Sequence, residues 1–231
     1  MYDSSDQKID TGDTVVEGIC VQSNQNLFVG VMNKIVNENG SFQFQYRKGT
    51  LYDANATFVY EGDFENKGGL NMKHGKGRGI VYTRKGNGYY IGDFKDNKPD
   101  GDGSMRLQGY IKTPSYIGEF RNGVENGKGT VYLPDGRLYY RGTMKNGGCS
   151  GEGTLYIYVD KGEEGVYKGE IIGSMPYGIG KFYTKHGNLL YDGDWVDGVR
   201  EGHGHVYFSD STSYKGEVHD GECTGKGAYF L

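Results

Sequence analysis

The chain has 231 residues, among them 42 glycines, 21 tyrosines and only 4 prolines, and its net charge is −4. That glycine content is more than twice the usual roughly 7 %, but collagen is excluded because it needs glycine at every third position and abundant proline, and 14 % aromatic residues argue against disorder. Each interior glycine costs a helix about 1 kcal/mol relative to alanine, so the composition points away from helical bundles and towards many short strands with tight turns.

Residues 1–16 read as an acidic flexible tail. Asp3, Asp6, Asp10, Asp13 and Glu17 against Lys8 alone place the whole net charge within the first thirty residues. This stretch has the pattern of neither a signal peptide nor a transit peptide. No apolar run reaches the roughly 20 residues of a membrane span, and the balanced charge elsewhere lacks the basic footprint of a nucleic-acid binder. The three cysteines, Cys20, Cys149 and Cys223, are odd in number and sparse, which fits a reducing compartment. The expectation is a soluble, cytoplasmic protein.

Residues 17–59 read as a degenerate repeat followed by an irregular hairpin. A strand is expected from Gly18 to Gln22, and Phe28-Val29-Gly30-Val31-Met32 is a weak copy of a motif that recurs downstream. Phe42, Phe44 and Tyr46 alternate with polar residues, the pattern of a half-buried strand. From Arg47 to Phe58 no clear period is visible.

From Tyr60 to Leu231 the chain repeats seven times. The openings are Tyr60-x-Gly62-x-Phe64, Tyr90-x-Gly92-x-Phe94, Tyr116-x-Gly118-x-Phe120, Tyr140-x-Gly142-x-Met144, Tyr167-x-Gly169-x-Ile171, Tyr191-x-Gly193-x-Trp195 and Tyr214-x-Gly216-x-Val218. Each is followed by a glycine pair: Gly77/Gly79, Gly101/Gly103, Gly127/Gly129, Gly151/Gly153, Gly178/Gly180, Gly202/Gly204 and Gly225/Gly227. An apolar residue stands two positions after the pair, and then an aromatic one in six repeats: Tyr82, Tyr132, Tyr156, Tyr183, Tyr207 and Phe230, with Arg106 the exception. Successive openings lie 23 to 30 residues apart, the excess falling between the glycine pair and the next tyrosine, where a hairpin loop lengthens at little cost.

Tyrosine, glycine and apolar residue at i, i+2 and i+4 share one face of a strand. Each repeat is therefore two strands and a turn, and a ring from the neighbouring strand is expected to lie over the position that has no side chain. Shifting the register by one residue exchanges the faces. The opening tyrosines and the Tyr132/Tyr156/Tyr183 series thus share a face or lie on opposite faces, and the spacing does not choose between these.

Tyr-x-Gly-x-aromatic followed by Gly-x-Gly, at a period near 23, resembles the MORN repeat (membrane occupation and recognition nexus). The resemblance covers Tyr60 to Leu231 as seven units and Gly18 to Phe58 more weakly; Met144, Ile171 and Val218 depart from the aromatic closing residue. It implies an all-β, elongated, single-layer solenoid of antiparallel hairpins. It also implies cytoskeletal, motor or membrane-cortex partners, association into homodimers, and a claim of phospholipid recognition. A third implication is a regulatory subunit of an enzyme supplied in trans. The lipid reading finds little support in the sequence, because no block of four or more Lys/Arg occurs.

Candidate chemistry is thin. Gly127-Lys128-Gly129-Thr130 resembles a phosphate loop, but a strand follows where a helix is needed. His203, His205, Glu201, His219 and Cys223 lie close in sequence without the spacing of a known metal site, and are read as solvated. No catalytic constellation stands out, so no catalytic residue, metal or cofactor is expected. What remains is binding. Because one sheet layer has a thin core, tyrosines are expected to line an exposed groove for a peptide or helix: Tyr82, Tyr116, Tyr132, Tyr140, Tyr156, Tyr167, Tyr183, Tyr191 and Tyr207. The apolar terminal strand, with Tyr229, Phe230 and Leu231, is expected to pair with its copy in a second chain.

Overall fold

Small and apolar residues at every second position, with Asn, Asp and Gly between the runs, favour hairpins over any helical arrangement. The computed structural model describes residues 14–158 and 164–231; the tail read over residues 1–16 lies outside the described residues as far as Asp13. Among the described residues there are seventeen strands and no helix, hence none long and apolar enough to cross a membrane. The chain divides into two units, Met1–Gly101 and Asp102–Leu231.

The first unit contains β1 (Thr14–Val21), β2 (Leu27–Val36), β3 (Phe42–Tyr52), β4 (Phe58–Lys67), β5 (Leu70–Thr83) and β6 (Gly86–Lys95). Each pairs antiparallel with the next. The stretch without a visible period forms the end of β3 and a turn in which Asp53 accepts hydrogen bonds from the amides of Asn55 and Thr57. Strand β7 (Lys98–Leu107) spans the division in sequence. The second unit continues with β8 (Tyr116–Arg121), β9 (Val124–Tyr132), β10 (Leu138–Lys145), β11 (Gly148–Ile157), β12 (Gly165–Ile172), β13 (Met175–Thr184), β14 (Leu189–Val196), β15 (Val199–Tyr207), β16 (Ser213–His219) and β17 (Glu222–Phe230). These too pair antiparallel in chain order, in a single layer.

The two edges of the second unit's ladder differ. One edge carries two-residue turns, Asn122-Gly123, Asn146-Gly147, Gly173-Ser174, Asp197-Gly198 and Asp220-Gly221, with positive φ at both residues; this is the turn whose twist matches that of the flanking strands. Four of these turns are tied to the preceding hairpin: the amides of Gly147, Ser174, Gly198 and Gly221 donate to the carbonyls of Glu125, Cys149, Pro176 and Arg200 at 2.9 to 3.2 Å. The other edge carries the longer connections, including residues 108–115.

The opening tyrosines form the core. Tyr60, Tyr90, Tyr116, Tyr140, Tyr167, Tyr191 and Tyr214 are all buried, together with Phe94, Phe120, Met144, Ile171, Trp195 and Val218. Tyr60, Tyr90, Tyr116 and Tyr191 meet the i+4 ring of their own repeat edge-on, with centroids 5.0 to 5.3 Å apart. Tyr60 and Tyr167 also meet the closing ring of the following repeat, Phe94 at 4.9 Å and Trp195 at 5.1 Å. In the degenerate repeat Phe28 takes the tyrosine's place and stacks on Tyr46 at 3.8 Å.

Candidate binding surface

Six of the seven opening rings, those of Tyr60, Tyr116, Tyr140, Tyr167, Tyr191 and Tyr214, lie across a glycine of the neighbouring strand. A Cβ on Gly153 would stand 2.5 Å from Tyr140 Cε2, and one on Gly77 would stand 2.6 Å from Tyr60 Cζ. Gly129, Gly180, Gly204 and Gly227 are overlain in the same way by Tyr116, Tyr167, Tyr191 and Tyr214. Ring and glycine therefore depend on each other, as the sequence suggested.

The phenol oxygen has its own role. In all seven repeats it donates to the backbone carbonyl three residues on, at 2.9 to 3.1 Å: Asp63, Asp93, Glu119, Thr143, Glu170, Asp194 and Glu217. In six of these repeats the pairing register breaks at or beside that residue. A bulge leaves a residue out of the ladder, and the tyrosine hydroxyl satisfies the carbonyl so released. Burial pushes the phenols of Tyr140, Tyr167 and Tyr191 up to about 12, because a desolvated phenolate is disfavoured.

In six of the seven repeats the side chain three residues after the tyrosine is acidic, and it folds back over the first glycine of the pair. Glu119 Oε1 accepts from the amide of Lys128 at 2.8 Å, Asp194 Oδ2 from that of His203 at 2.8 Å, and Glu217 Oε2 from that of Lys226 at 3.2 Å. The glycine beneath, Gly127 for instance, has φ +100 and would meet Glu119 with any Cβ, so both backbone and space require it. This also corrects one register. Gly62 pairs with Gly77, and Gly77 with Gly92, while Gly75 has φ +64 and lies under Asp63. The pair of the first repeat is therefore Gly75/Gly77, not Gly77/Gly79, and Ile80 rather than Tyr82 occupies the place of Tyr132.

The register also decides between the two arrangements of the faces. Tyr140 pairs with Val131 and Leu155, and Tyr167 with Leu155 and Phe182. Tyr132, Tyr156, Tyr183 and Tyr207 each follow such a residue and so point to the opposite, open face. Rings occur on both faces. On the open face of the second unit, cross-strand pairs set Tyr132 beside Leu138, Tyr156 and Tyr183 on either side of Val166, and Leu189 beside Tyr183. All of these are half-buried.

Next to this apolar rail runs a polar row: Thr130, Arg141, Thr154, Lys168, Lys181, Asp192, His205 and Lys215 occupy successive strands. Four cations face one carboxylate. Lys181 pairs with Asp192 at 2.9 Å and Lys168 lies over the Tyr183 ring at 5.1 Å, while Arg141, Lys168 and Lys215 form no ion pair among the described residues. A groove of about 510 Å³ lies here, lined by Arg141, Glu152, Lys168, Ile179, Lys181 and Tyr183 among others. The first unit has a groove of about 440 Å³ on its corresponding face, but there Arg78 is held by Glu61 and Lys76 by Asp93, both at 2.7 Å.

The residues expected in the groove thus separate into three groups. Tyr132, Tyr156, Tyr183 and Tyr207 come together on the open face. Tyr116, Tyr140, Tyr167 and Tyr191 do not: the glycine slots bury them against the sheet, and they offer a partner no ring surface. Tyr82 is 82 % exposed and stands near the end of β5, opposite Asn87. On β17, which pairs with β16, Tyr229 and Phe230 are exposed, as is Leu231 beyond it.

The histidine group disperses. His219 Nδ1 lies 2.6 Å from Glu201, and His205 stacks on Tyr207 with centroids 4.2 Å apart and Nδ1 3.0 Å from the phenol oxygen. Gly127-Lys128-Gly129-Thr130 lies inside β9, its Lys128 amide already taken by Glu119. None of Cys20, Cys149 and Cys223 forms a disulfide among the described residues.

The bulge has its own signal in the sequence: an acid at i+3 in six of seven repeats, and tyrosine rather than phenylalanine at every opening from Tyr60 onward. The comparison with known families agrees with this arrangement of slot and hairpin. The family model of the MORN repeat matches residues 90–107, 116–136, 191–213 and 214–230, and the chain carries MORN repeats.

Proposed function

We propose that the chain is a non-catalytic scaffold that holds a segment of a protein partner, a peptide or a helix, along the open face of its second unit. MORN repeats generally bind proteins or lipids. The observation that carries the narrower reading is the rail of half-buried Tyr132, Tyr156, Tyr183 and Tyr207 beside unpaired Arg141, Lys168 and Lys215. Aromatic side chains dominate interface energetics, and a row of like charge selects and steers an oppositely charged partner. The partner segment is apolar on one side with acidic flanks, and cytoskeletal, motor or membrane-cortex proteins in the cytoplasm or at the membrane periphery are its source.

The test compares the intact chain with one carrying Tyr132→Ser, Tyr156→Ser and Tyr183→Ser in affinity capture. Because these rings face away from the glycine slots, circular dichroism stays unchanged while a partner is lost. Capture of every partner by the triple variant refutes the reading.

One observation favours a second reading. The register aligns Arg141, Lys168, Lys181 and Lys215 on one row although no basic run exists in the sequence, and each Lys or Arg near an anionic surface contributes about 1 kcal/mol. Co-sedimentation with phosphoinositide vesicles, lost in Arg141→Ser/Lys168→Ser, would favour lipid over protein. Self-association through β17 rests on its exposed Tyr229, Phe230 and Leu231; a monomeric mass by light scattering at micromolar concentration rejects it.

A further inference from the structure

A different cluster of polar side chains lies in the first unit. Glu65 stands on β4, His74 on β5 and Asp96 in the turn after β6. One ligand atom of each lies within 4.8 Å of the other two. His74 Nδ1 and Glu65 Oε2 face each other at 3.0 Å. Both atoms are shielded from solvent, although their side chains are partly exposed, and neither meets hydrogen-bond geometry, their contacts being this pairing and that of Glu65 Oε2 with Lys67. Shielded polar atoms without a well-formed hydrogen bond are uncommon, and each calls for an explanation.

The arrangement is also held in place. The Asn97 amide donates to the Lys73 carbonyl at 3.1 Å, and Asn97 Oδ1 accepts from the Lys73 amide at 2.8 Å. These two bonds fasten the turn that bears Asp96 to the strand that bears His74. Lys67 reaches in from the end of β4, its Nζ 2.5 Å from Asp96 and 3.3 Å from Glu65 Oε2.

We infer that Glu65, His74 and Asp96 form a binding site for a divalent transition-metal ion of the zinc class, and that the Lys67 ammonium holds the two carboxylates when the ion is absent. One imidazole nitrogen and two carboxylate oxygens make a donor set suited to such ions. Three atoms within 4.8 Å of one another share a point within about 2.8 Å of each, which small side-chain rotations shorten to the roughly 2.0–2.2 Å of zinc bonds. Two carboxylate charges match the ion's charge, so Lys67 is displaced on binding. Its side chain is 42 % exposed and swings into solvent on a flexible stem. Three protein donors leave a fourth position for water.

The test titrates the full chain with zinc chloride against a chromophoric chelator, and with cobalt(II) to read ligand geometry from visible absorption. The wild type takes up one ion at this site. His74→Ala and Glu65→Gln each lose affinity by roughly tenfold or more, the scale on which even outer groups of metal sites act. Lys67→Met binds more tightly than wild type, because the competing ammonium is gone. Circular dichroism confirms that each variant keeps its fold. The inference is overturned if neither wild type nor Lys67→Met takes up zinc. It is equally overturned if uptake is unchanged in His74→Ala and Glu65→Gln, since the ion then sits on other histidines or cysteines.

Discussion

Adding one methyl group at Gly153 tests the dependence between ring and strand. The new Cβ would stand 2.5 Å from Tyr140 Cε2 and 2.7 Å from Cζ, about 1 Å inside the 3.5–4.0 Å of a relaxed carbon contact. The ring has nowhere to retreat: it is fully buried, and its hydroxyl is tied to the Thr143 carbonyl at 2.9 Å. Overpacking of this kind costs about 1–3 kcal/mol. Expelling the ring instead forfeits its burial and hydrogen bond, a loss of about 2–3 kcal/mol. Either way Gly153→Ala destabilises by about 2 kcal/mol. Gly153 is not among the residues with positive φ, and without the ring the substitution would stabilise by about 0.4–1 kcal/mol through the unfolded chain. The sign therefore decides. Urea unfolding followed by the fluorescence of buried Trp195 reads it, and at a slope near 2 kcal/mol/M the midpoint falls by about 1 M. Gly148→Ala in the same hairpin is the control: its nearest atom is Lys145 O at 3.6 Å, and it is neutral or slightly stabilising. Adding Tyr140→Leu to Gly153→Ala makes the two losses less than additive. A midpoint of Gly153→Ala at or above wild type refutes the account of the slot.

Tyr167→Phe keeps the ring but strands two carbonyls, those of Glu170 and Tyr177, which the hydroxyl meets at 2.9 and 3.1 Å; a loss of about 1–2 kcal/mol is expected, and an unchanged midpoint would show the bulge to be satisfied otherwise. Tyr140, Tyr167 and Tyr191 are pushed up to about 12, against about 10 in an unfolded chain. The unfolded state thus releases its protons first, so stability is complete below pH 10 and falls as pH rises towards 12. Phenolate absorbance and unfolding should rise together in that window, and separate transitions would contradict this. His219 titrates above its usual value chiefly because the Glu201 carboxylate accepts a hydrogen bond from its ring N–H; Glu201→Gln lowers that pKa, measured by NMR titration of the imidazole, and an unmoved pKa assigns the shift elsewhere.

Much of this architecture is visible in the sequence because Tyr-x-Gly and Gly-x-Gly recur at strand parity, and parity fixes which residues share a face. Parity does not reach everything. In Gly75-Lys76-Gly77-Arg78-Gly79 three glycines alternate, so spacing alone cannot tell which two form the pair; only the partners Gly62 and Gly92 do. The expectation that one layer leaves its tyrosines exposed also failed for Tyr116, Tyr140, Tyr167 and Tyr191. A ring lying flat over a glycine is covered by its own sheet and by the i+4 residue, without a second layer. Tyr132, Tyr156, Tyr183 and Tyr207 could be grouped by position, but their company on the open face could not. Arg141, Lys168, Lys181 and Lys215 are scattered along 75 residues of sequence and meet only through the register of seven strands.

The unequal edges of the second unit bear on how such a chain can be altered. Where amides of the two-residue turns clasp the hairpin before them, an added residue would open several clasps at once. The opposite border already accommodates connections as different as the stretch near Lys112 and the short bend at Asp210. Foreign segments grafted there, such as an epitope or a fluorescent reporter, leave the clasped border intact, so the scaffold can carry cargo without losing its phase.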